Sequence, residues 1–124
     1  MQTLEAIALI LAYVAHADAI LSPEERHAIA DALPELVPGT TPRDLRTRVD
    51  PLLIQGKHPE LVGKACLLLS HEPLEVRLAT LRSALLVARS EQGISPEEHR
   101  RIAALAKDLA IPPPELERLL AKRR

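Results

Sequence analysis

Apolar residues recur along most of this chain at helical spacing, and proline marks where each run begins. The first run is different. Residues 6–15 (AIALILAYVA) are apolar without interruption, inside a segment 2–17 whose Leu4, Ile7, Leu11 and Val14 share one helical face. A helix that is apolar all round belongs inside a protein, so this segment predicts a central helix. The run falls short of the about 20 residues that a hydrocarbon core requires. The preceding MQTLE carries an acid where a secretion signal would carry Lys or Arg, so neither a membrane span nor a leader is expected.

Ser22-Pro23 opens a second helix carrying Ile29 and Leu33, and PELVPGTTP (34–42) reads as a turn-rich connection. Thr41-Pro42 opens a third helix that the pattern carries to Ile54, and His58-Pro59 a fourth, to Ser70. From Pro73 a long fifth helix runs to Ser90, with Leu74, Leu78, Leu81, Leu85 and Ala88 at helical spacing. Ser95-Pro96 opens a sixth, ending at Ala110, and PPPELERLLAKR supplies a short seventh. Proline at the first helical position loses nothing, because that N–H has no intrahelical partner. No segment alternates with period two. The expectation is an all-α fold, a bundle of about seven short helices in a single domain spanning 1–124.

Composition supports the pattern. Apolar residues make up 47% of the chain, almost all Leu, Ala, Ile and Val, and Tyr13 is the only aromatic. That mixture favours helices over sheets. A net charge of −1 gives no pull toward nucleic acid or an acidic membrane surface. Cys66 is the one cysteine, so no internal disulfide forms and a reducing, cytoplasmic setting is expected.

The chain also repeats itself. Aligning Ser22 with Ser95 pairs Val14 with Val87, Ala15 with Ala88, Pro23 with Pro96, Glu24 with Glu97, Glu25 with Glu98 and Ile29 with Ile102, and sets Asp18 on Glu91. Two helix–corner–helix units result, over about 2–33 and 73–110, and they predict a pseudo-two-fold axis. In each S-P-E-E the serine caps the helix and the second glutamate, three residues on, reaches back to the serine N–H, a capping box. Asp18 and Glu91 are less ordinary. Each sits at the end of a long helix, where exposed carbonyls disfavour a carboxylate. Loop N–H groups, a nearby arginine or a cation would compensate. Asp18 with Glu25, and Glu91 with Glu98, begin a hard-cation site but fall short of the six to eight oxygens that calcium takes.

AHADAILSPEE (15–25) and ARSEQGISPEE (88–98) resemble the two acidic corners of the tellurite-resistance TerB-like domains. In that family the stretch reads A-x-A-D-G-x-[IV]-S-x-x-E in both halves of an all-helical domain of this size. The resemblance covers essentially the whole chain. It implies a divalent cation (Ca, Mn or Zn) held by Asp18, Glu25, Glu91 and Glu98. The chain departs from the motif in both copies: Ala19 replaces the glycine, and Gly93 comes one place late. Glycine there permits the positive φ that folds a loop around an ion.

Other chemistry is sparse. His16, His27 and His99 lie near the corners, but no HExxH or zinc-spaced Cys/His pair is present, and they read as surface residues. His58 and His71 precede helix starts and belong to turns, and Cys66 lies in apolar ACLLLS as a buried thiol. Arg43, Arg46 and Arg48 form a solvated basic face, and AKRR (121–124) complements a helix C-terminus. No nucleophile–base pair supports an enzyme. Two function classes follow. One is a non-catalytic TerB-like binding module, stress or tellurite-resistance associated, with a cation at its acidic corners. The other is a structural or protein-interaction module in which the acids only cap helices.

Overall fold

The uninterrupted apolar run becomes the axis of the molecule. In the computed structural model, which describes residues 1–16, 21–88 and 95–121, it forms helix α1 (Thr3–Ala15). Leu4, every residue from Ala6 to Ala12, Val14 and Ala15 are buried. Around it lie α2 (Pro23–Leu36), α3 (Pro42–Asp44), α4 (Asp50–Leu53), α5 (Pro59–Leu69), α6 (Leu74–Ala88), α7 (Pro96–Asp108) and α8 (Pro113–Ala121). Helix α1 packs directly against α2, α4, α5, α6 and α7. One cluster of buried side chains reaches from Leu4 to Leu119, and no strand occurs among the described residues. The fold is an all-helical bundle, with seven helical segments among the described residues when the broken stretch around α3 and α4 counts once.

That stretch corrects the expected continuous third helix. Helix α3 gives way to a π-helical turn over Leu45–Val49, then α4, then a 3-10 turn over Ile54–Lys57. Pro51 has no N–H for the carbonyl of Thr47, and its ring crowds that turn. Widening to π geometry relieves the clash, and the Asp50 N–H donates to the Leu45 carbonyl instead. The 3-10 turn then lies directly on α1 at Gly56. A Cβ there would fall 2.5 Å from Ala12 Cβ, so only glycine permits this approach.

Two helix ends also differ from expectation. Helix α2 continues through Pro34 to Leu36, because Leu36 packs against the core. Helix α7 ends at Asp108, and Ala110 takes a left-handed φ of 55°. The Ile111 N–H donates to the Ala106 carbonyl at 2.8 Å and the Ala110 N–H to the Lys107 carbonyl at 3.0 Å, a Schellman turn without glycine. Arg77 on α6 clamps it, donating from Nη1 to the carbonyls of Leu109 and Ala110, each at 2.9 Å.

The basic face over 43–48 is partly structural. Arg48 donates from Nε and Nη2 to the two Glu5 carboxylate oxygens, both at 3.0 Å, and from Nη2 to Gln2 Oε1 at 2.8 Å. The paired fork ties the π-helical turn to the start of α1 and holds the Glu5 carboxyl below its ordinary range. Arg43 and Arg46 are exposed.

Candidate functional site: the two acidic corners

Both S-P-E-E stretches fold alike. Ser22 and Ser95 have φ of −75° and −73° with ψ of 160° and 161°. Ser22 Oγ accepts from the Glu25 N–H and Ser95 Oγ from the Glu98 N–H, each at 3.1 Å. In return the Ser22 N–H donates to Glu25 Oε1 at 3.0 Å, and the Ser95 N–H to Glu98 Oε1 at 2.8 Å. Both capping boxes are complete, as the spacing predicts. The helix N-termini add favourable dipole fields for the two acids.

Burial sets these boxes apart. Glu25 is 7% exposed and Glu98 3%. A third box, Thr41 with Asp44, stands at the surface with Arg48 Nη1 3.6 Å from Asp44 Oδ1. Removing a carboxylate from water is costly unless both oxygens find donors or a cation. Glu25 uses Oε1 for the serine, and its Oε2 has no hydrogen-bond partner among the described residues.

Each of these glutamates sits with its own serine. Asp18 and Glu91, the acids expected beside them, lie outside the described residues. Among the described residues no three His, Cys, Asp or Glu side chains gather as a metal site.

A residue that sequence reasoning missed links the second corner to the end of α1. Arg101 donates from Nη1 to the Tyr13 carbonyl at 2.7 Å, and its guanidinium lies over the Tyr13 ring, 4.4 Å from the centroid. Its Nε donates to Glu97 Oε2 at 3.3 Å. Arg100 also pairs with Glu97, and Arg100 first, then Arg101, hold the Glu97 carboxyl below its ordinary range. The only sequence signal was Glu97 four residues before Arg101, a common surface pairing. Tyr13 is accordingly half-buried, against the core but open to Arg101.

The histidines have ordinary roles. His16 Nε2 donates to the Leu53 carbonyl at 2.9 Å and so fixes the end of α1 to α4. His27 lies 3.4 Å from Asp31 on the exposed face of α2. Cys66 is buried, and burial pushes its thiol up to about 12, well away from nucleophilic use. No protein-family model, curated protein or solved structure matches the chain.

Proposed function

We propose that this chain is a non-catalytic TerB-like binding module, of the stress- and tellurite-resistance kind, whose acidic corners hold a divalent cation. The observation that carries this reading is Glu25, a carboxylate nine-tenths buried that spends one oxygen on its cap and leaves the other without a donor among the described residues. A cation at that oxygen would offset the cost of burying the charge. The family resemblance assigns Asp18 to the first corner with Glu25, and Glu91 to the second with Glu98. All-oxygen donors favour Ca²⁺ or Mn²⁺ over Zn²⁺. The two corners act as equivalent halves of a pseudo-two-fold repeat. The matching serine angles and the burial of Val14 and Val87, Ala15 and Ala88, and Ile29 and Ile102 support that equivalence. The buried, reduced Cys66 fits a cytoplasmic setting.

The alternative is a protein-interaction module whose acids only cap helices, and the completeness of both capping boxes favours it. Thermal melts with Ca²⁺, Mn²⁺ and Zn²⁺ separate the two. A cation at tenfold excess over its Kd stabilises the native state by about 1.4 kcal/mol, a rise in Tm of roughly 5 °C. Glu25→Gln keeps an oxygen for the Ser22 N–H but loses the charge, so it abolishes the rise with little loss of basal stability. An unshifted melt at millimolar cation rejects the cation reading.

A further inference from the structure

The register that aligns Ser22 with Ser95 also sets Tyr13 against Leu86, Glu24 against Glu97, Ala28 against Arg101 and Ala32 against Leu105. On the α1–α7 side this set is filled. Arg101 lies over the Tyr13 ring, Glu97 holds the guanidinium, and Leu105 is buried. On the α6–α2 side Ala28, Ala32 and Leu86 line a groove of about 280 Å³, together with Asp31 and Glu35 of α2 and Ser83 and Val87 of α6. Leu86 is 59% exposed, among the few large apolar side chains left in water. The groove continues as a shallow recess along Glu24 and His27. Two alanines stand where the other half carries an arginine and a leucine, and the apolar partner is left uncovered.

We propose that this groove binds a basic amphipathic helix of a partner protein, which supplies in trans the arginine and leucine that α7 supplies in cis. Charge and shape both specify that occupant. The α2 wall presents Glu24, Asp31 and Glu35, and the only basic-type side chain among the lining residues is His27, itself beside Asp31. Arg82, one turn before Leu86 on α6, is not part of the lining. Glu24 holds the register of Glu97, which binds Arg101, so a partner guanidinium entering over Leu86 meets a carboxylate. A partner leucine one turn along fills the space above Ala32, the usual spacing of a helix lying in a groove. From Pro23 to Glu35 the groove follows about three turns of α2, enough for such a helix. The inference rests on the repeat in the functional reading above, and it is independent of the cation.

The test uses two labelled synthetic helices, one with arginine and leucine at i and i+4 on one face and one with glutamate replacing arginine. Fluorescence anisotropy is read with the full chain in EDTA, so the fate of the cation reading does not affect it. The arginine helix binds saturably and more weakly as salt rises, whereas the glutamate helix does not bind. Leu86→Ala and the pair Glu24→Gln with Asp31→Asn each weaken binding by about tenfold. Ala28→Arg, which fills the groove from within, abolishes it. All these positions are at or near the surface, and unchanged melts confirm that each variant is folded. Equal binding of the two helices, no saturable binding, or binding indifferent to Ala28→Arg overturns the proposal. Concentration-dependent sedimentation lost in Leu86→Ala would also overturn it, since the occupant would then be a second copy.

Discussion

The α1–α7 contact and the α6–α2 groove start from the same sentence in the sequence and end differently. In both halves Ser-Pro-Glu-Glu starts a helix with the same serine angles and the same pair of reciprocal hydrogen bonds. In the second half the following turn adds Arg101 and Leu105, which fasten α7 across Tyr13 and into the core. In the first half the corresponding turn has Ala28 and Ala32, so α2 meets α6 across a groove. The cap is written locally and repeats faithfully. What the helix does next depends on two side chains one turn apart, and these do not repeat.

Arg101→Ala should strike the comparison hardest. Its guanidinium bonds a backbone carbonyl, covers a ring and pairs with Glu97 while only 21% of the side chain is exposed. A charge-assisted bond to a half-buried acceptor with a cation–π contact amounts to about 2 kcal/mol, or roughly 8 °C in Tm. Arg101→Lys keeps the charge but not the planar fork, so its loss should lie between wild type and alanine. At the matching position of the first half, Ala28→Gly removes no such contact, and only its helix-propensity cost of about 1 kcal/mol is expected. Equal losses at positions 28 and 101, by chemical denaturation, would erase the distinction between the two faces.

The serines come next, and here the halves should agree. Ser22→Ala and Ser95→Ala each remove the acceptor for a helix N–H in nearly superimposable geometry, at a cost of about 1 kcal/mol each. Two different values would mean that the surroundings of Glu25 and Glu98, not the caps, dominate the corners.

How much of this was legible depends on whether a feature is local. The helix starts were readable because S-P-E-E and T-P-R-D each satisfy their own orphan N–H groups within four residues. The central helix was readable because an apolar run has only one place to go. The 42–54 stretch misled because its pattern was helical while Pro51, inside it, withheld a hydrogen bond and forced a π turn. The end of α7 was set by Arg77, far off in sequence, which bonds the last carbonyls and accompanies a left-handed Ala110. At the site, Glu25 and Glu98 were legible as caps, but their burial was not, because it arises from helices packed over them. Arg101 was invisible for the same reason: its main partner, Tyr13, is 88 residues away.

A smaller effect concerns acid. Arg100 and Arg101 depress the Glu97 carboxyl below its ordinary 4.5. A depressed carboxylate favours the folded state above that value, and the contribution fades as pH falls through the lowered folded value. Wild type and Glu97→Gln should therefore differ in Tm at neutral pH and draw together as pH falls below 4.5. Parallel curves for Glu97→Gln at every pH would show that Arg101 is held by Tyr13 alone.

The smallest effect is also the sharpest test of whether the two faces share one plan. Leu86→Tyr with Ala28→Arg rebuilds on α6 and α2 the pair that Tyr13 and Arg101 make on α1 and α7. Each single change is close to neutral, because each adds an exposed side chain at the edge of an open groove. Together they bring a guanidinium over a ring beside Glu24 and Asp31, and a double-mutant cycle should return a favourable coupling of about 0.5 kcal/mol, typical of an exposed cation–π pair. The coupling should survive in Glu24→Gln at reduced size, since Glu24 only orients the arginine, and vanish with Leu86→Ala in place of the tyrosine. A coupling of zero would mean that α2 crosses α6 with a different offset from that of α7 on α1. The groove would then be a feature of that one crossing, and the repeat would stop at the caps.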